Sequence, residues 1–152
     1  MTPSELDVGH GILDAQHDRM LARIAELGRC VEAEDAAASA SSLAALWDET
    51  VAHFAGEDAM MEEHAYPERT AHRSAHHLFL EDLKALLREV NEQGITPDVA
   101  SWALHRMPEW VKFHIQANDA PLALFVARRT AARIVAVARG EEPQTPPRRS
   151  DA

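Results

Sequence analysis

The sequence predicts an all-α protein, an up-down-up-down bundle of four helices with a helical extension at its carboxyl end. Three observations predict this fold. The 152-residue chain is rich in Ala and has only six Gly, and it is poor in the β-branched residues that favour strands. Its apolar residues recur at intervals of three and four, as on one face of a helix. The connections are short, so consecutive helices are expected to be antiparallel neighbours.

Asp14 is a suitable N-cap for a first helix that runs to about Ala33. Its apolar positions, from Met20 to Val31, recur at helical spacing. The small and polar stretch 34–42 is expected to be the connection. A second helix then runs from Leu43 to near Tyr66-Pro67, since Pro cannot continue a helix but can open the next one.

The third helix has the clearest period, a stripe from His72 to Val90 that ends at Gly94. Thr96 is expected to cap a fourth helix. Pro108 and Pro121 should disturb this helix, because each lacks a backbone donor and crowds the carbonyl four residues back.

The chain is predicted to divide into a bundle at 1–127, a basic helical extension at 128–140 and a disordered tail at 141–152 that holds three Pro. From residue 128 onward the chain carries a net charge of +3, against −13 before it. The extension is expected to pack back on the bundle or to form a dimer contact. The alternative is a docking element for a signalling partner or an acidic surface.

Composition excludes several classes of protein. The net charge of −10 argues against nucleic-acid binding, which needs basic surface. No stretch approaches the roughly 20 apolar residues of a membrane helix. The single Cys cannot form an internal disulfide and suits a reducing compartment. Residues 1–10 carry no export signal, so a cytoplasmic location is expected.

Nine His stand against one Tyr and four Phe, an unusual balance. Every predicted helix carries at least one side chain that can bind a metal, and two helices carry pairs four residues apart on one face. Buried imidazoles and carboxylates need partners, and a metal centre satisfies them together. The predicted ligands are His17, His53, Glu57, His72, His76, His114 and Asp119.

Seven ligands are too many for one ion and indicate two octahedral ions, which offer about twelve positions. Five imidazoles, two bridging carboxylates and one bridging oxide or hydroxide fill all but one of them. Such a site is suited to binding one small external ligand. The mixture of imidazole and carboxylate favours iron.

Five short motifs now make the chain recognisable: Leu-Asp-Ala-Gln-His at 13–17, His-Phe-Ala-Gly-Glu at 53–57, Tyr-Pro at 66–67, His-Arg-Ser-Ala-His at 72–76 and His-Ile-Gln-Ala-Asn-Asp at 114–119. From about Leu6 to Leu124 the chain resembles the single-domain bacterial members of the hemerythrin family. The resemblance implies that His72, His76 and His114 bind one iron and that His17 and His53 bind the other. Glu57 and Asp119 would bridge the two irons, and the reduced pair would bind dioxygen reversibly.

By the same resemblance the ligand pocket is lined by Phe54, Met61, Trp110 and Val111, although plain core packing accounts for these residues equally well. Val111 stands where the family commonly carries Leu, which predicts a looser cover over the open position. Two other functions stay open: a sensor of oxygen, nitric oxide or redox state, and a diiron peroxide or nitric oxide reductase.

Two further expectations concern geometry. The remaining histidines, His10, His64, His77 and His105, are expected at the surface or at the bundle end. Residues five apart differ by about 140° around an α-helix, so His114 and Asp119 can face one metal pair only if a π-bulge separates them.

Overall fold

The protein is described by a computed structural model that covers residues 5–142. Within this range the chain forms four long helical rods, as predicted. The first three are α1 (Gly11–Glu32), α2 (Ala36–Glu63) and α3 (Arg69–Gln93). The fourth rod is continuous but changes its hydrogen bonding along its length: α4 (Pro97–Ser101), π1 (Trp102–Arg106), α5 (Met107–His114), π2 (Ile115–Asp119) and α6 (Ala120–Ala138).

The N-cap of α1 is His10, so the prediction of Asp14 is wrong. The backbone of His10 is extended, and its side chain accepts a hydrogen bond from the Leu13 N–H. Asp14 lies one turn inside the helix, where Oδ1 accepts from the Val8 N–H at 2.7 Å. Its carboxylate therefore ties the preceding chain onto the first turn instead of opening the helix.

The predicted connection at 34–42 is also wrong, because α2 already begins at Ala36. Asp35 caps it by accepting from the Ala38 N–H at 2.9 Å. The alanines that follow have the strongest helix propensity, and Ser39 and Ser42 are buried in the helix. The real connection is a tight turn at Glu34, whose φ is 53°.

The α2–α3 junction is longer than predicted. α2 ends at Glu63, three residues before Tyr66, and α3 begins at Arg69, after Pro67. Ala65, with a φ of 50°, turns the chain between them. At the far end of α3, Gly94 takes a φ of 76° that favours glycine, so the predicted stop is confirmed.

Both prolines of the fourth rod disturb it, as predicted. Each follows a π segment, in which an N–H bonds to the carbonyl five residues back: Met107 to Trp102 in π1, and Ala120 to Ile115 in π2. Pro108 and Pro121 come directly after these donors. Because neither proline has an N–H, the regular α pattern cannot continue through it.

The core consists of two apolar clusters separated by a polar layer. The larger cluster includes Phe54 and Ile115, and the smaller one contains Met61, Leu122 and Val126. On α2 and on the fourth rod, a buried carboxylate lies between the two clusters. Within residues 5–142 no helix has the length and apolarity needed to cross a membrane.

α6 runs on past the bundle. The predicted boundary at 127/128 lies inside this continuous helix. Among the described residues of α6, none after Val126 is buried, and Arg129, Arg133 and Ala136 are half-buried. Most of the predicted tail lies outside the described residues.

Candidate metal centre

All seven predicted ligands lie in the polar layer between the apolar clusters. α2 and α3 each contribute a pair four residues apart, which places both members on one helix face. α1 contributes one side chain and the fourth rod two. Each is at most 3% exposed: His17, His53, Glu57, His72, His76, His114 and Asp119.

The fourth rod brings its two polar side chains together through π2. The Ala120 N–H bonds to the Ile115 carbonyl, so the segment holds one more residue per turn than an α-helix. As a result Nε2 of His114 lies 3.1 Å from Oδ1 of Asp119. The irregularity predicted between these residues is confirmed.

The Glu57 carboxylate divides its two oxygens between two sets of imidazoles. Oε2 lies 2.9 Å from Nε2 of His76 and 3.4 Å from Nε2 of His72. Oε1 faces the other way, 3.3 Å from Nε2 of His53 and 4.0 Å from Nε2 of His17. This is the arrangement of a carboxylate that bridges two ions.

Asp119 divides its oxygens in the same way from the opposite side of the bundle. Oδ1 lies 3.0 Å from Nε2 of His72 and 3.1 Å from Nε2 of His114. Oδ2 lies 2.9 Å from Nε2 of His17. The two carboxylates therefore separate the same two sets of imidazoles.

Two overlapping groups of ligand atoms result, and the atoms within each group lie within 4.8 Å of one another. Both groups contain Glu57 and Asp119. The three-His group adds His72, His76 and His114, and the two-His group adds His17 and His53.

The protonation of the imidazoles fits a cation between them and the carboxylates. Nδ1 of His53 lies 2.6 Å from Gln16 Oε1, and Nδ1 of His76 lies 3.3 Å from Asp58 Oδ1. Because these oxygens accept, each Nδ1 carries a proton, and in the neutral imidazole each Nε2 then presents a lone pair to Glu57. The Nε2 atoms and the Glu57 oxygens are then all acceptors facing one another, and a cation bound between them would remove this repulsion.

Unpaired polar atoms support the same fit. Within the described structure both oxygens of each carboxylate have no hydrogen bond of satisfactory geometry. The same holds for Nε2 of four imidazoles, a number far above what a folded interior tolerates. These imidazoles are His17, His72, His76 and His114.

The buried carboxylates and imidazoles of the layer shift one another's pKa values. Burial raises the pKa of the Glu57 carboxyl, but close imidazoles outweigh it and hold the pKa well below its ordinary value. The pKa of Asp119 is lowered in the same way. Burial lowers the pKa of His72, yet the two carboxylates beside it prevail and raise the pKa to about 9. Burial lowers the pKa of His114.

Three ligand rings have an outer partner that sequence reasoning did not assign. Besides Gln16 and Asp58, Asn118 places its Nδ2 3.1 Å from Nδ1 of His114. Outer partners of this kind orient a metal-binding imidazole, and the oxygens of Gln16 and Asp58 also favour the tautomer that leaves Nε2 free to bind. The sequence did contain a sign of these partners, because each of them is adjacent in sequence to a predicted ligand.

Phe54 and Trp110, two of the predicted pocket residues, stack on ligand rings. The Phe54 ring lies 3.8 Å from the His76 ring with an interplanar angle of 8°. The Trp110 ring lies 4.6 Å from the His114 ring at 10°. Both contacts are to the three-His group, which is therefore braced more firmly than the two-His group.

The other two predicted pocket residues lie on different sides of the polar layer. Val111 is buried in the larger apolar cluster with Phe54. Met61 is fully buried in the smaller cluster, beyond the layer, where it packs with Tyr66 and Leu122. Phe54, Trp110 and Val111 therefore lie on one side of the layer, and Met61 lies on the other.

The remaining histidines lie outside the polar layer. His77 and His105 are exposed, as predicted, and His10 caps α1. His64 is the C-cap of α2 at the bundle end, and it is buried, with 7% of its surface exposed. Burial lowers its pKa.

Two cavities adjoin the polar layer. One of about 100 Å³ lies between α1 and α2 beside His53, and Gln16, Arg19, Met20 and Glu49 help to line it. The other, of about 270 Å³, lies beside His72 at the α2–α3 junction. Each brings open space next to one of the two groups.

Fold and site together define a four-helix bundle protein with a buried metal-binding centre. Residues 8–123 match the family described as the hemerythrin HHE cation binding domain. The chain belongs to this hemerythrin family, and the resemblance seen in its motifs is confirmed.

Relatives named bacteriohemerythrin are similar over about three quarters or more of this chain. The protein from Pseudomonas aeruginosa (strain LESB58) is 30% identical over 120 residues, which cover 76% of this chain and 74% of the relative. The protein from Ralstonia nicotianae is 30% identical over 126 residues, covering 82% and 86%. The protein from Stenotrophomonas maltophilia is 28% identical over 115 residues, covering 76% and 73%.

Proposed function

We propose that the polar layer holds two iron ions and binds dioxygen reversibly, for storage, delivery or buffering. His72, His76 and His114 would bind one iron, and His17 and His53 the other. Glu57 and Asp119, with an oxo or hydroxo group, would bridge them. The observation that carries the proposal is the division of each carboxylate's two oxygens between the two sets of imidazoles.

The donor set favours iron. Imidazole nitrogen suits several transition metals, whereas carboxylate oxygen favours hard ions with octahedral geometry, and iron accepts both. Membership of a family described as cation-binding agrees with this choice.

The counts in the two groups leave one position open. Three imidazoles, two carboxylate oxygens and the shared bridge supply six donors to one ion. Two imidazoles, two carboxylate oxygens and the same bridge supply only five to the other. A small ligand is therefore expected on the two-His side. A reduced iron pair held by these residues would supply the electrons that reversible binding of dioxygen requires.

The chain's own residues keep this chemistry reversible by excluding water. Val111 and Ile115 are at most 2% exposed and belong to the apolar cluster that borders the layer. Phe54 and Trp110 cover the rings of the three-His group. A dry surrounding of this kind suppresses side reactions with water and protons.

A cavity lies beside His53 on the two-His side, and another lies beside His72 on the three-His side. The cavity beside His53 has a volume of about 100 Å³, which admits a molecule the size of dioxygen. Because cavities adjoin both groups, the assignment of the open side rests on the count of donors.

The test is stopped-flow mixing of anaerobically reduced protein with dioxygen, followed by removal of dioxygen over repeated cycles. Reversible spectral cycles are expected. His53→Gln should abolish them, because it removes a ligand from the open side. His64→Gln is the matched control, since His64 is also buried but lies at the bundle end.

Other outcomes separate the other functions. Oxidation on first contact with dioxygen, with no recovery on deoxygenation, would contradict reversible binding and favour a sensor or a redox enzyme. Equal loss of cycling in both variants would contradict the assignment of the open side to His53.

A further inference from the structure

The extension of α6 carries its apolar side chains on its outer side. Leu124 is 51% exposed, Ile134 65%, Val135 48% and Val137 64%. With the alanines between them, these residues cover about half of the helix circumference. A contiguous apolar surface of this kind on a globular protein is typical of an interaction site.

The side of α6 turned toward its own bundle is basic instead. Arg129 and Arg133 are only half-exposed, whereas Arg128 is exposed. The Arg129 guanidinium carbon lies 5.9 Å from the centre of the Phe125 ring. A helix that packs on its own domain normally turns its apolar side toward that domain and its charged side toward solvent. The extension of α6 does the opposite.

The extension is not needed to build the family's domain, because the family match ends at residue 123. It continues as helix to Ala138 with no buried residue after Val126 among those described. Isolated helices of this length are marginal in water. Packing against a partner would supply the stabilisation that its own bundle does not provide.

We propose that the outer side of α6 is a dimerisation surface, on which the α6 helices of two copies of this chain pair in antiparallel orientation. The seam consists of residues spaced alternately by three and four, the repeat of a coiled coil: Leu124, Ala127, Ala131, Ile134 and Ala138.

The seam is complementary to itself in antiparallel orientation. Leu124 of each copy then lies opposite Ile134 of the other, and Ala127 lies opposite Ala131. Two large layers thus flank two small ones, and the alanines allow the helix axes to approach closely. No charged residue falls within the seam.

The charges of α6 do not oppose the pairing. Arg129 and Arg133 lie on the side turned toward their own bundle, close enough to the buried His64 to add to the effect of burial in lowering its pKa. Pairing on the outer side therefore does not bring these arginines of the two copies against each other. The net charge of −10 disfavours the alternative, an anionic membrane surface.

The paired region is short. α6 has 19 residues, which span about 28 Å at 1.5 Å per residue. The contact is therefore at the small end of specific protein interfaces. A concentration-dependent dimer is expected, not a permanent one.

Sedimentation equilibrium of the full chain tests the proposal, from about 1 µM to about 500 µM. The mass should rise from one chain toward two. Ala131→Glu places a charge in the seam and should weaken association at least about tenfold. Ala132→Glu is the matched control, because it makes the same change one residue on, at an exposed position outside the seam, and should dimerise as the parent does.

Iron content and helicity should be equal in both variants, which separates this proposal from the proposed function. A parent chain that stays monomeric at every concentration overturns the proposal, as does equal weakening by the two substitutions. Co-sedimentation of the monomer with anionic phospholipid vesicles, lost in Ala131→Glu, would identify a membrane surface instead and also overturn it.

Orientation is tested by disulfide cross-linking in a Cys30→Ser background. A mixture of Ala127→Cys and Ala131→Cys chains should cross-link on oxidation, because antiparallel pairing places these positions opposite each other. Preferential cross-linking of Ala131→Cys to itself would indicate parallel pairing and refute the antiparallel seam.

Discussion

Replacing Phe54 by Ala is expected to damage both the stability of the bundle and its hold on metal. The ring is 3% exposed, stacks on His76 at 3.8 Å and lies 6.0 Å from the Phe79 ring. Truncating a buried Phe in this way costs about 3–5 kcal/mol of unfolding free energy. For a chain of this size the melting temperature should fall by about 6–20 °C.

The assay is thermal and denaturant unfolding of metal-free and iron-loaded protein, with the rate of iron loss to a chelator. Phe113→Ala is the matched control, because Phe113 is 67% exposed and its truncation should cost under about 0.5 kcal/mol. Phe54→Leu keeps most of the volume but removes the stacked ring, so it should recover much of the stability yet still lose iron faster. Equal stability of the two alanine variants would refute the bracing role of Phe54.

Three further predictions follow from the site. The pKa of His72 is raised to about 9, so His72 is protonated near pH 7 in metal-free protein. Metal loading near pH 7 should therefore release about one proton from His72, and less than one as the pH approaches 9. In metal-free protein the same pairing stabilises the fold fully below pH 6.5 and is lost as pH rises through 9. The lowered pKa values of Glu57 and Asp119 add stability that is lost in acid. Proton release is measured by pH-stat titration during metal loading, and fold stability by unfolding at several pH values. Proton release that does not depend on pH would contradict the role of His72. Pro121→Ala lets α bonding replace π2 and should turn Asp119 away, so iron per chain falls, whereas Pro108→Ala changes only π1 and should keep full iron by metal analysis. Val111→Leu should slow autoxidation in timed spectra; an unchanged rate would mean that other residues cover the open position.

The composition of the polar layer could be predicted because its spacings are local. Pairs four residues apart on α2 and α3 must share a helix face. The π2 segment was also predictable, because His114 and Asp119 could not both point inward from a regular helix. Pro121 marked the position independently.

Contacts between helices were not predictable in the same way. Which ring stacks on which imidazole depends on how α2, α3 and the fourth rod pack, and no spacing within one helix encodes it. For this reason Phe54 and Trp110 were predicted as pocket residues and found against His76 and His114. Met61 was separated from them by the polar layer for the same reason.

Helix ends were predicted least well. Residues 36–42 have the small polar composition of a connection, but Ala propensity and the burial of Ser39 and Ser42 make them helical. Asp14 has the chemistry of an N-cap, yet His10 offers an acceptor one turn earlier. Several residues near each end could cap, and the local sequence does not rank them.

The proposed pair of irons is tested most directly by Mössbauer spectroscopy together with metal analysis, on the full chain isolated from iron-replete cells. Two groups that share Glu57 and Asp119 predict two irons per chain, magnetically coupled through the bridge and inequivalent because one has three imidazoles and the other two. Substituting Glu57→Gln should remove the coupling, whereas Glu63→Gln, on the exposed surface of the same helix, should not. One iron per chain, stoichiometric zinc, or two uncoupled irons would contradict a two-iron centre with shared carboxylates.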